Sequence, residues 1–343
     1  MASFKSMELV PLAIGVLRRD GPVVFASKVA KFAGRKAAVP VRVAKDFGRN
    51  TWPKASSLPQ ADPVREPRPW FLVDPVRLGE LTDEFRSVYP EAAKNLIAQA
   101  DEFLHDRYDI LGSGPVTLGP KIDWNLDFVH NFRFPRRHYL RQPYVFDDPS
   151  DVKVPWEFAR LQHLPVLALA YRLTGDEKYA RKIVDQIVDF CDHNPPRYGI
   201  HWFCAMEVGL RVFSVALAVT WISDWMRGRS REWATVFRMA QASGEFIMGN
   251  LEYSDYLTSN HYLSDLLGLA AIGAAFPELP DAGEWLRFGG EEFKKEIEKQ
   301  FYEEGANFES SIPYHRLSLE LVATRYLLGR RHGIDFGDAY KDR

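Results

Sequence analysis

FCAMEVGLRVFSVALAVTWISDW, residues 203–225, reads as a helix with almost no polar side. Only Glu207, Arg211 and Asp224 interrupt a run of apolar and small residues. A helix without a polar face is buried on every side. The stretch WEFARLQHLPVLALAY, residues 156–171, has the same character, with Glu157 and Arg160 as its charges. Two such helices in one chain need outer helices around them, so the fold is a layered all-α one.

Working outward, the pattern is of long helices in pairs joined by short turns. A helix starting at Pro155, a favoured first position, runs to about Leu173. Thr174-Gly175-Asp176 turns the chain into a second helix ending near Asp192, and Asn194-Pro195-Pro196 stops it. Further helices are predicted at roughly Trp202–Trp225, Arg231–Leu251, Asn260–Ala275, Glu284–Tyr302 and Pro313–His332. The spacing of helix pairs recurs without sequence identity between them, which favours a toroid of hairpins over a solenoid. Upstream, a helical stretch covers about Arg77 to Tyr108. Residues 112–150, rich in Gly and Pro and threaded by Trp124, Phe128, Phe132, Phe134 and Tyr139, read as an irregular wall or cover. Residues 1–70 form a basic, Pro-rich, loosely ordered leader, and residues 71–343 the main domain.

Composition narrows the function. The 343 residues are 46% apolar, 26% charged and 13% aromatic, an ordinary globular balance with a surplus of rings suited to core or to stacking on sugars. A net charge of −2 offers no global field for nucleic acid. Cys191 and Cys204 make no metal-type pair and no disulfide framework, and are compatible with a reducing compartment. The apolar run at residues 8–17 is short, broken by Pro11 and followed by Arg18 and Arg19, a poor secretory signal. The longest apolar run elsewhere, Val212–Ile222, falls far short of the roughly 20 residues of a membrane span. A soluble protein is expected.

The charges inside the apolar helices need partners. Glu207 and Arg211 are spaced i,i+4, and Glu157 and Arg160 i,i+3, so each pair shares a helix face. A lone buried charge costs several kcal/mol or more. They are therefore paired structurally or they line a wet groove. Ser259-Asn260-His261-Tyr262 opens a helix, where Asn260 reads equally as a cap and His261 as a core histidine. In Gly305–Arg316, Tyr314 and His315 fall in a first helical turn, where the dipole favours negative charge. No phosphate loop, nucleophile elbow, His-Glu-x-x-His or histidine cluster is present.

Taken as an ordered series, these segments resemble the N-terminal domain of the heparinase II/III-like family, which includes heparin-sulfate lyases and related alginate lyases. The series comprises residues 156–164, Leu173–Asp176, Asn194–Pro196, His201-Trp202, Ala205–Arg211, Ser259–Tyr262 and Gly305–His315, across about residues 120–330. The resemblance implies an incomplete (α/α) toroid followed in cis by a C-terminal β-sandwich domain, which is expected beyond Arg343. It implies Asn260 and His261 on a uronate carboxylate and Tyr314 in proton transfer. His315, Glu207, Arg211, Trp202, Trp156, Arg160 and Glu309 become groove residues. It points to a periplasmic setting, which the weak signal sequence does not favour over a cytoplasmic one.

The implied reaction is β-elimination on an acidic polysaccharide. Uncharged or cationic donors stabilise the charge that develops on the uronate carboxylate, and a base within about 3 Å removes the C5 proton. An ordinary phenol titrates near about pH 10, so a tyrosine base needs cationic neighbours. No metal or organic cofactor is required. The alternatives are a non-catalytic acidic-glycan-binding toroid and a toroid glycoside hydrolase using two of Glu157, Glu207 and Glu309.

Overall fold

The computed structural model describes residues 22, 23, 26, 34, 37–47, 51–54, 57–59, 71–73, 75–254 and 257–343. The chain divides into two compact units, residues 1–50 and 51–343. Much of the expected leader lies outside the described residues; within it, residues 37–46 are helical. The second unit reaches back to Thr51. There Trp52 donates its indole N–H to the Cys191 carbonyl at 2.8 Å, and Leu58 is buried.

In the second unit the helices are α1 (Pro75–Val88), α2 (Pro90–Leu104), α3 (Lys153–Ala159), α4 (His163–Thr174) and α5 (Glu177–His193). They continue with α6 (Ala205–Trp221), α7 (Ser230–Gly249), α8 (Asn260–Ala275), α9 (Ala282–Gln300), α10 (Ile312–Arg331) and α11 (Asp338–Asp342). The aromatic-rich stretch between α2 and α3 carries two small antiparallel hairpins. One pairs β1 (Arg107–Asp109) with β2 (Pro115–Thr117), the other β3 (Leu126–Asp127) with β4 (Phe132–Arg133).

Helices α4, α6 and α8 form the inner layer, each packed on the next, with α5, α7 and α9 outside them and α10 closing against α8. This is the incomplete α/α toroid, an arc of hairpins with its core between the layers. In α8 every residue but His261 is buried, as an apolar inner helix requires. No helix among the described residues is long and apolar enough to cross a membrane.

Two expected helices are broken, each for a local reason. The stretch Arg77–Tyr108 divides at Pro90, which starts α2 because its ring cannot continue the preceding helix. The stretch Pro155–Leu173 divides between α3 and α4, where Leu161 takes a left-handed φ of 56° and is fully buried. The predicted turn at Gly175 is present, with φ 72°.

The tightest joint is between α6 and α8. A Cβ added at Gly209 would lie 2.5 Å from the Ser264 carbonyl oxygen, and one at Gly268 would lie 2.6 Å from the Gly209 Cα. The two backbones therefore touch, which only glycine permits. Overpacking of this kind costs about 1–3 kcal/mol. Gly268→Ala or Gly209→Ala is expected to lose about that much stability in urea unfolding. Gly249→Ala, where an added Cβ meets nothing within 4 Å, should leave the midpoint nearly unchanged.

Candidate functional site

The α6–α8 joint brings together the start of α6, the connection 250–259 and the start of α8, and these three segments supply the polar residues of the site. Arg160, at the end of α3, bridges two acids. Its Nε and one terminal nitrogen each donate to Glu207 at 2.9 Å, and its other terminal nitrogen donates to Glu157. Glu207 is only 3% exposed. Burial works against the Arg160 charge, but the Glu207 carboxylate and then Glu157 outweigh it, and its pKa is raised. The expected Glu157–Arg160 pair is thus made. Glu207, however, pairs with Arg160 across helices rather than with Arg211 along its own.

Arg211 sits in an apolar cage instead. It is fully buried, lies 4.7 Å from the Phe190 ring centroid and 5.7 Å from that of Trp202, and donates to the His201 carbonyl at 2.9 Å. Burial pulls its pKa down to about 10 and that of His201 to about 3. Trp202 is 1% exposed and gives its N–H to the Asn194 carbonyl. Arg211 and Trp202 were expected to touch a ligand, yet both are sealed behind the wall, because their apolar neighbours close over them. Trp156 is half-buried, bonded to the Ile200 carbonyl at 2.9 Å and stacked on Phe203.

Asn260 opens α8 behind the Ser259 cap. Its amide nitrogen donates to both carboxylate oxygens of Glu309 at 2.8 Å, and its backbone N–H donates to one of them at 2.9 Å. The Asn260 Oδ1 is buried without a partner. Glu309 thus holds the same amide groups that the sequence assigned to a bound carboxylate.

The other half of the site is a dyad that sequence reading missed. His261 Nδ1 lies 2.7 Å from Glu252 Oε2, while Glu252 Oε1 accepts from the Cys204 thiol at 3.0 Å and from the Met206 N–H at 2.9 Å. The Glu252 N–H donates to Asp265. Burial pushes the Glu252 carboxyl up, but bonds from His261, Cys204 and Met206 prevail and hold it below the usual range. The hydrogen bond to Glu252 raises His261 above the ordinary histidine value. Asp265 is pushed well above its ordinary value by burial and then by the Glu252 charge, against the lowering effect of the Glu252 N–H. Glu252 lies in a connection with no periodicity; its only signal was one acid between Leu251 and Tyr253.

Tyr314, in the first turn of α10, is 49% exposed and has no hydrogen-bond partner among the described residues. His315 accepts from the Asn307 N–H at 3.2 Å, tying the start of α10 to the segment that carries Glu309. What these groups offer chemically is an imidazole and a thiol sharing one carboxylate, a neutral amide beside them, and an exposed phenol at the start of α10.

Residues 87–343 match the family described as Heparinase II/III N-terminus. The heparin-sulfate lyase of Pedobacter heparinus is 29% identical over 198 residues, 54% of this chain and 28% of that protein. A heparin-sulfate lyase of Bacteroides stercoris is 22% identical over 211 residues, 56% of this chain and 32% of that protein. The chain thus spans about a third or less of the length of these curated relatives. The crystal structure of heparan sulfate lyase HepC from Pedobacter heparinus superposes with a TM-score of 0.53 at 22% identity. It covers 73% of this chain and 37% of that one, a likeness of fold.

Removing one partner of a buried pair costs about 3–5 kcal/mol. Arg160→Met, which strands the Glu207 carboxylate, is expected to destabilise on that scale in denaturant unfolding, well beyond the cost of Glu157→Gln. The His261–Glu252 pair sets a pH dependence. Because the folded value of His261 is raised, its contribution is complete below the unfolded value of about 6.5. That contribution is lost as pH rises through the higher folded value. An NMR titration of the imidazole should give a midpoint above 6.5, and Glu252→Gln should lower it; an unchanged midpoint would contradict the pairing.

Proposed function

This chain belongs to the heparinase II/III family through its N-terminal domain, and on that premise we propose that it forms the substrate groove of a polysaccharide lyase. The polymer contains uronic acid and is cleaved by β-elimination. The observation that carries this reading is the family match over residues 87–343, joined to a Glu252-paired imidazole and an amide at the start of one helix.

In the proposed reaction the uronate carboxylate docks against Asn260 and His261. The His261 imidazole, oriented through Nδ1 by Glu252, and the helix N-terminus stabilise the negative charge that spreads onto the carboxylate as the C5 proton leaves. Tyr314, exposed at the start of α10, acts in this step as its phenolate: it takes that proton, becomes the phenol, and can return the proton to the departing 4-linked oxygen. The C5–H bond breaks, a C4–C5 double bond forms, and the electron pair of the C4–O bond leaves with the oxygen.

For the carboxylate to reach the Asn260 amide, Glu309 must yield its three hydrogen bonds. The substrate acid then replaces an internal acid. His315 and Glu309 act through this exchange, Trp156 as an edge of the groove, and Arg160 with Glu207 as its rigid floor. The parent proteins of this family match are longer than this chain, and we propose that a β-rich domain in cis completes the groove and supplies a further proton-transfer group.

Cleavage of a heparan-type or alginate-type polymer by a protein containing this domain is expected to generate the ultraviolet absorbance of a 4,5-unsaturated uronate. Reducing-end release without that absorbance would mean hydrolysis, and binding without either would mean a glycan-binding toroid. Tyr314→Phe should abolish the signal while helicity by circular dichroism stays unchanged. Glu309→Gln should tighten binding of an acidic oligosaccharide severalfold by removing the competing charge; weaker binding would show that Glu309 serves only to place Asn260.

A further inference from the structure

The Cys204 thiol, the Glu252 carboxylate and the His261 Nδ1 each present one ligand atom to a common point, all within 4.8 Å of one another. We propose that these three residues bind a borderline-soft divalent cation of the zinc class. The site borders the groove described above, and only its consequence for turnover rests on that reading; ion binding itself does not.

The donor set favours this class of ion. One thiolate, one imidazole and one carboxylate suit zinc, whereas magnesium and calcium take oxygen ligands. The sizes agree as well. Bond lengths of about 2.0–2.3 Å in a tetrahedron place neighbouring ligand atoms about 3.3–3.6 Å apart. Here sulfur and Nδ1 are 3.9 Å apart, sulfur and Oε1 3.0 Å, and Nδ1 and Oε2 2.7 Å. The two short contacts use different oxygens of Glu252, so the ion is admitted when the carboxylate turns to present one oxygen to both partners at about the tetrahedral spacing.

The ligands are also held in advance. Cys204 directly precedes α6, His261 lies in the first turn of α8, and the Gly209–Gly268 contact locks those helices together. Glu252 is pinned from both ends, its carboxylate by the Met206 N–H and its own N–H by Asp265. The surroundings attract a cation: Glu207 acts electrostatically on both Cys204 and His261. Arg160, whose charge also acts on Cys204, is bonded to Glu207 and Glu157.

On binding, the ion takes the place of the thiol proton and the Nδ1 proton, which leave to solvent; nothing is oxidised. Cys204 is buried, but the His261 side chain is 45% exposed and that of Glu252 28%. The ion therefore has a route in, and its fourth position, on the exposed side, takes water or a carboxylate oxygen. Occupancy replaces the His261–Glu252 hydrogen bond, so it places a dication beside Asn260 where an imidazolium stood.

The test uses the whole chain, reduced and stripped with a chelator, titrated with Co²⁺ and read by absorption spectroscopy. One equivalent is expected to produce a thiolate-to-cobalt charge-transfer band in the near ultraviolet, discharged by Zn²⁺. Cys204→Ser should remove the band and weaken Zn²⁺ binding at least tenfold, His261→Gln should weaken it likewise, and Cys191→Ser should change neither. In the unsubstituted protein, Zn²⁺ should slow alkylation of Cys204, which keeps the test decisive if a variant misfolds. Absence of the band and of protection, or a band that survives Cys204→Ser, overturns the proposal. No sugar cleavage enters these readouts, so a failed ion site and a failed lyase reading are told apart.

Discussion

The backbone contact between α6 and α8 is the constraint on which the rest of the site depends. Because Gly209 and Gly268 have no side chains, the two inner helices approach until main chain meets main chain. That approach places the start of α6, with Cys204 and Glu207, beside the start of α8, with Asn260 and His261. The joint decides the spacing of Cys204 and Glu207 from Asn260 and His261, while Arg160 and Glu309 come in from neighbouring elements to pair with them. Interior packing is stiff, so a side chain at either glycine would be felt as a displaced hydrogen-bond network as well as a lost contact.

The wall so built carries more acid than base. Glu157, Glu207, Glu252 and Glu309 face Arg160 and His261, and Asp265 is pushed up by burial and by its neighbour. Buried acids at this density must be neutralised by pairing, by protons or by cations. The structure uses the first two, and the raised value of His261 is the visible result. Asn260 and His261, the amide and the imidazole of this wall, both stand at the start of α8.

The fold was largely legible in the sequence because inner helices announce themselves. A run such as Val212–Ile222 has no polar side, and the apolar run of α8 located its start at Asn260, with the cap one residue earlier than read, at Ser259. What escaped was local chain geometry. The left-handed residue that divides α3 from α4 is Leu161, and nothing in a leucine advertises φ 56°. Side-chain partners were legible only within one helix: Glu157 with Arg160 was readable from spacing, whereas Glu207 with Arg160 needs the crossing of two helices. Glu252 was invisible for the same reason, since a loop residue acquires its meaning from the helices that close around it. Arg211 and Trp202 were assigned to the groove by the family resemblance. Their burial follows from the ring-lined pocket between α5 and α6, which no spacing rule reports.

The hold of Glu309 on Asn260 makes occupation of that amide a swap. An incoming anion gains three hydrogen bonds only as a resident anion gives up three, so charge alone confers little advantage. Salt weakens guest and resident in similar measure, and screening therefore partly cancels. What remains to distinguish one guest from another is fit: how well its ring and its neighbouring hydroxyls settle once its carboxylate has taken the vacated place. A pocket that already contains its own acid is in this sense a judge of shape.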